Sequence, residues 1–266
     1  MKKFNSITAI LVCIAFVVQL QAQPDVMPEI ENVLKEGQKS MTLPDFLDLL
    51  GLDGKSFEDT YKIKNVQYYS YKKQFPYNRV SFQTKWFDFA FLTDTRQRIL
   101  FSSVELLGVK TEDKRIFNQV HVDFQSFIDA HEAFYNVKVN IEDENMSPLK
   151  DFKLFIDSDM QNQKFKEMII LINNRDITQL EYWLKSMNPT IQAYAVIAFD
   201  ILDRYDANFK LTKQQEKIIK HIKAMENDIN FRSNFDPTNE IALNIALSDS
   251  YLETYWYIVK DSDLLK

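Results

Sequence analysis

The stretch "SMNPTIQAYAVIAFDIL", Ser186 to Leu202, decides how the back half of this chain is read. Asn188 is a helix cap and Pro189 fills the first helical position, where a missing N–H costs nothing. From there small and apolar side chains run almost all the way round the helix, with alanines at 193, 195 and 198. A helix without a broad polar face is a buried helix. The segment therefore predicts a central rod, and the flanking sequence has to supply the neighbours that enclose it.

Helical periodicity begins at Gln161. Phe165, Met168, Ile169 and Ile172 form one apolar stripe; Leu180, Trp183, Leu184 and Met187 form a second, with Asp176 or Thr178 as its cap. Thr212 and Gln215 have capping-box spacing ahead of Ile218, Ile219, Ile222 and Met225. Asp236 and Pro237 are expected to open a further helix containing Ile241, Leu243, Ile245 and Leu247. "YLETYWYIV", from Tyr251, fits a helix or a strand.

Within this half, "LEYWLKSMNPTIQAYAVIAFDIL" (Leu180 to Leu202) resembles a HEAT-like helical hairpin over residues 177–204. Leu180, Trp183 and Leu184 fall on its first helix, an Asn-Pro turn follows, and Ile191, Ala193, Ala195, Ala198, Phe199 and Leu202 fall on its second. The resemblance implies a layered stack of antiparallel helices serving protein or peptide recognition. Such a stack needs at least about three copies, and no second clean copy is legible.

The front half has another period. "NVQYYSYKK", "NRVSFQTKWFDFAFL" and "QRILFSSVELL" read as strands separated by "QFPY" and "TDTR", an antiparallel meander because the separators are too short for a crossover. Phe87, Phe89 and Phe91 share one face, with Trp86, Ala90 and Leu92 on the other. Short helices precede it: "TLPDFLDLLG", with Thr42 as cap, Gly51 as stop and a face of Phe46, Leu49 and Leu50, and "SFEDTY" from Ser56. A helix is expected over "VDFQSFIDAHEAFYN", a short strand at "VKVNIED", a loop at "ENMSPLKD", and an edge strand or helical lead-in at "FKLFI". The fold class that follows is α+β, with short helices and an antiparallel meander in front and an all-helical domain behind. The divisions expected are 1–22, 23–157 and 158–266.

Residues 1–22 carry an export signature. Lys2 and Lys3 precede an apolar run from Ile7 to Val18, and "LQA" ends on the small residue Ala22. The run is too short for a spanning helix of roughly 20 residues. Cys13 is a poor lipid-anchor site, because Val12 stands before it and it sits inside the run. The expectation is a cleaved signal and a periplasmic or extracellular protein with no membrane span after cleavage. Cleavage would also remove the chain's single cysteine, and with it disulfide and thiolate chemistry.

Composition supplies exclusions. The formal charge of −6 becomes more negative once Lys2 and Lys3 are gone, which disfavours nucleic acid and anionic membrane surfaces. The four glycines, Gly37, Gly51, Gly54 and Gly108, do not cluster, so a P-loop, a dinucleotide fingerprint and a G-x-S-x-G elbow are all missing. No cofactor is indicated.

Chemistry-bearing residues are sparse. His121, His131 and His221 are the three histidines. "DAHE", 129–132, does not complete H-E-x-x-H, because residue 135 is Tyr. His131 lies on the apolar side of its helix, and His221 follows Lys220 in a solvated-looking run. The aromatics between Phe57 and Phe101 suit a packed core more than an open platform; Tyr68, Tyr69, Tyr71, Tyr77 and Trp86 are the candidates for an exposed interaction surface. The leading expectation is an exported non-enzymatic protein, a protein- or peptide-interaction module of a bacterial envelope. The alternatives are an envelope- or glycan-directed hydrolase using carboxylates that the sequence does not single out, and a carbohydrate-binding module on the aromatic sheet.

Overall fold

A computed structural model describes residues 27–36, 41–49, 62–70, 73–83, 87–94, 96–107, 116–150, 152–156, 162–226, 228–231 and 240–266. The chain divides into two compact units, Met1–Val66 with Phe75–Ile128, and Gln67–Gln74 with Asp129–Lys266. The division at Ile128 falls ahead of the boundary at 157–158 expected from the sequence. The architecture is α+β, with helix dominating the second unit. No helix among the described residues is long and apolar enough to cross a membrane.

Among the described residues the first unit begins with helices α1 (Met27–Glu36) and α2 (Leu43–Leu49). Thr42 caps α2 as expected: its Oγ1 accepts from the Asp45 amide at 3.3 Å, and Asp45 Oδ2 accepts from the Thr42 amide at 3.1 Å. Five strands follow in sequence order, β1 (Lys62–Ser70), β2 (Lys73–Gln83), β3 (Phe87–Thr93), β4 (Ile99–Leu106) and β5 (Ile116–Val120). The expected meander is there with more strands than the sequence suggested. The run from Asn78 to Leu92 is two strands, paired from Asn78↔Thr93 to Gln83↔Asp88. β5 lies in a stretch where no element was expected. "SFEDTY", Leu50 and Gly51 lie outside the described residues.

Period-two alternation sets the faces of this sheet. Phe87, Phe89 and Phe91 are fully buried on one side. Phe46 of α2 meets Phe89 and Phe91 edge-on at 5.9 and 5.2 Å, and Ile30 and Leu34 of α1 join the same core. Burying a ring or aliphatic side chain of this size contributes about 1.5–3 kcal/mol each, so this layer contributes substantially to the stability of the unit. On the opposite side Phe101 stacks on Phe124 at 6.1 Å, at the start of helix α3 (Val122–Tyr135). Further along that side Asp88 stands across from Glu105, so it is not apolar throughout.

In the second unit the chain after α3 makes turns instead of the strand expected at "VKVNIED". Side chains meet its amides before a ladder can form: Glu132 accepts from Val139, Asn140 from Glu142 and Asp143 from Asn145. Strand β6 (Lys153–Leu154) follows, then helices α4 (Gln163–Asn173), α5 (Ile177–Leu184), α6 (Pro189–Tyr205) and α7 (Lys213–Lys223). Their caps are Asn162, Asp176, Asn188 and Thr212, the last in a complete capping box with Gln215.

Strands β7 (Asp228–Phe231) and β8 (Glu240–Ala242) then join β6 in a small mixed sheet, β6 parallel and β8 antiparallel to β7. The helix expected to contain Ile241, Leu243, Ile245 and Leu247 is corrected in part. Residues 240–242, Ile241 among them, pair with β7 and Leu243–Ala246, helix α8, turns helical, while Asp236 and Pro237 lie outside the described residues. The final helix, α9 (Asp249–Asp261), settles "YLETYWYIV" as helix.

The rod read at 189–204 is α6, and it is buried almost all round: every residue from Thr190 to Phe199, then Ile201 and Leu202. It packs against α4, α5, α7, α8, α9, β6 and β7. Ala193, Ala195 and Ala198 have no exposed surface, and their small size permits this enclosure on several sides at once.

Candidate functional site

"DAHEAFYN" forms the last turns of α3 and ends at Asn136, whose φ of 50° is the left-handed turn that stops the helix. Helical spacing puts His131 and Tyr135 on one stripe and Glu132 on another. His131 is buried, with its Nε2 2.9 Å from the carbonyl oxygen of Lys185, the residue capping the C-terminus of α5. A carbonyl accepts only, so Nε2 carries the proton and donates it. Burial pushes the His131 pKa from its ordinary 6.5 down to about 4, against the opposing pull of the Lys185 carbonyl.

Tyr135 lies against this imidazole, ring centroids 4.3 Å apart, and its hydroxyl accepts from Gln192 Nε2 of α6 at 3.0 Å. His221 of α7 packs on Phe134 at 4.7 Å. The solvated setting expected for His221 is therefore corrected: its ring is half-buried among aromatics, and burial and then Lys217 lower its pKa. His121 is buried in the first unit. Among the described residues no three His, Cys, Asp or Glu side chains are grouped to hold a metal ion.

Glu132 turns away from His131. It accepts from Lys138 Nζ and from the Val139 amide, and these bonds hold its carboxyl below the usual range. Beside it an open recess of about 490 Å³ is lined by Asp129, Glu132, Ala133, Asn136, Val137 and Lys138. The acid and the imidazole of "DAHE" thus point to different surroundings, and the recess receives no histidine. As an acid/base pair they cannot act on one substrate atom, because a shared proton path needs both groups within hydrogen-bond reach.

Two buried polar centres went unnoticed in the sequence. Lys164 of α4, 7% exposed, sends its Nζ to Glu144, Asn145 and Glu167, each at 2.8 Å, with the Phe152 and Trp183 rings 5.0 and 5.8 Å away. Burial opposes its charge, but the two carboxylates outweigh burial and raise its pKa. Tyr194 of α6 donates to the carbonyl of Lys153 at 2.8 Å and accepts from the Phe155 amide at 3.0 Å. The available signal for Lys164 was its place four residues before Met168 on the buried stripe of α4. Tyr194 stood among apolar neighbours on every side, which left no pattern to single it out.

Both centres bind the turn-rich segment between Val137 and Ile156 to the helices. Asn188 Nδ2 donates to the Ser147 and Lys150 carbonyls, Ser186 Oγ to the Asn145 carbonyl, and Tyr182 to Asp143. Backbone groups of an irregular segment need partners when they leave water, and side chains of the α5–α6 turn provide them.

Of the expected surface residues, Tyr68 and Tyr69 lie on β1 and Tyr77 on β2, while Tyr71 and Trp86 lie outside the described residues. Large exposed apolar side chains among the described residues are Ile170, Tyr205, Ile245 and Tyr257, each on a different helix. No protein-family model matches this chain, and no curated protein or solved structure is significantly similar to it.

Proposed function

We propose that this is an exported, non-enzymatic protein whose helical unit is a scaffold for recognition of another protein or peptide. The observation that carries the reading is the employment of the buried polar side chains in the helical unit. His131, Lys164, Asn188 and Tyr194 each bind a neighbouring segment of the same chain instead of converging on a cleft. The hairpin of α5 and α6, joined at Asn188–Pro189, supports the scaffold reading. Lys2, Lys3 and the apolar run to Val18 support export.

The test has two arms. Chain recovered from the cell envelope should begin after Ala22 or Gln23, and cross-linking in intact cells should join it to one protein in near-stoichiometric amount. Incubation with a panel of envelope polymers should release no product. Turnover abolished by changing a single carboxylate would replace this reading with the hydrolase.

A further inference from the structure

Two imidazoles flank one phenol ring on the inner side of α3. The Tyr135 ring centroid is 4.3 Å from that of His131 and 6.3 Å from that of His221, and Phe134 packs against both Tyr135 and His221 at 4.7 Å. We propose that the His131–Tyr135–His221 cluster is an acid-sensitive latch: charging His131 releases residues 129–137 from the α5–α6 turn while the rest of the helical unit stays folded.

The bond from Nε2 to the Lys185 carbonyl survives protonation, since that nitrogen already donates. What protonation adds is a second N–H and a full charge on a ring only 6% exposed. Burying a charge without a partner is costly, so the released state, in which water reaches the ring, gains.

The Lys185 carbonyl and the charge of Glu132 offset part of that cost, but burial outweighs them and His221 adds to it. From α7 comes His221, whose charge opposes a charge on His131, with Lys217 Nζ 5.4 Å over the neighbouring Phe134 ring. From α5 comes a main-chain carbonyl, and from α6 the uncharged Gln192. On α3 itself the acid next in sequence, Glu132, is bound to Lys138 and Val139.

The sign follows from linkage. The latched ring titrates near 4 and a freed one near 6.5, so below 6.5 the released form takes up a proton that the latched form refuses. Release therefore grows as pH falls from 6.5 towards 4. It stays local because α6, enclosed on all sides, carries no titrating group in its buried run from Thr190 to Phe199 apart from Tyr194, which remains neutral in acid.

Amide hydrogen exchange on the whole protein tests this at pH 7 and pH 4.5, after correction for intrinsic rates. Residues 129–137 should exchange on the order of tenfold to a hundredfold faster at the lower pH relative to α6. His131→Gln, neutral at both values and still a donor, should remove the acceleration. Equal acceleration of α6, or an undiminished effect in H131Q, overturns the proposal. Should H131Q fail to fold, the imidazole titration of His131 in the wild type decides. A midpoint near 4 that coincides with exposure of 129–137 upholds the latch, and one near 6.5 sinks it.

Discussion

The hydroxyl of Tyr194 accepts the Phe155 amide at 3.0 Å and donates to the Lys153 carbonyl at 2.8 Å, so one side chain of the central helix holds the end of β6. Strand β6 has two residues and pairs with β7 alone, which leaves its other edge to be satisfied by this phenol. Tyr194→Phe would keep the ring and its packing but take the hydroxyl from a part-buried amide and carbonyl. Leaving buried groups unmet costs about 1–3 kcal/mol, and urea unfolding should record a lower midpoint with an unchanged slope. A variant as stable as the wild type would show that the phenol is dispensable for β6.

The enclosure of α6 makes a second prediction. Ala198 has no exposed surface and helices on several sides. Ala198→Leu adds three heavy atoms where no void receives them, and overpacking of this kind costs about 1–3 kcal/mol, occasionally more. Asp203→Leu, on the exposed side of the last turn, should cost far less despite inserting the same side chain. Comparable losses at both positions, measured by thermal denaturation, would mean that α6 is not enclosed as described.

The contrast between α6 and the segment after α3 shows what was legible in the sequence and what was not. The caps at Asn188 and Thr212 act between residues at most three apart, and the alanines at 193, 195 and 198 report burial directly, so local pattern sufficed. Residues 137–143 have the composition of a strand, but Asn140, Asp143 and Glu132 bind the amides first, and composition carries no trace of that competition. Glu144 and Asn145 reach Lys164 across 20 and 19 residues, a pairing that periodicity cannot encode. Ile241 fell in a strand instead of the expected helix for a similar reason, because its pairing with Ile229 is a non-local contact. The candidate site was half legible. His131 was placed on the apolar side from its spacing, whereas His221 was misread because its aromatic neighbour, Phe134, lies on another helix.

Lys164 gives a prediction in which deletion and isolation differ. Lys164→Met keeps the apolar stem against Phe152 and Trp183 and removes the charge together with its desolvation, so stability should change by less than about 1.5 kcal/mol. Removing the acids instead, with Glu144→Gln and Glu167→Gln, leaves the ammonium buried with weaker partners and should cost about 1–3 kcal/mol. The pH dependence has a definite sign. The folded pKa is raised above 10.5, so the contribution is complete below that value and lost as pH rises through the folded one. Lys164→Met should therefore flatten the alkaline limb of the stability profile. An unchanged limb would show that Lys164 does not set it.

Tyr255 of α9 provides the opposite case to Tyr194. It is 4% exposed, packs near Tyr251 at 6.0 Å, and its hydroxyl meets no hydrogen-bond partner among the described residues. Burial raises its pKa first and most, and Tyr251 and Tyr194 add to the rise. Deleting the hydroxyl removes a desolvated dipole and takes no bond with it. Tyr255→Phe should therefore leave the protein as stable as before or more stable, by up to about 1 kcal/mol, where Tyr194→Phe destabilises it. The two variants bury the same ring in the same unit, so differential scanning calorimetry compares the hydroxyls directly. Loss of stability in Tyr255→Phe would reveal an acceptor for that hydroxyl, and the distinction drawn between the two phenols would fall.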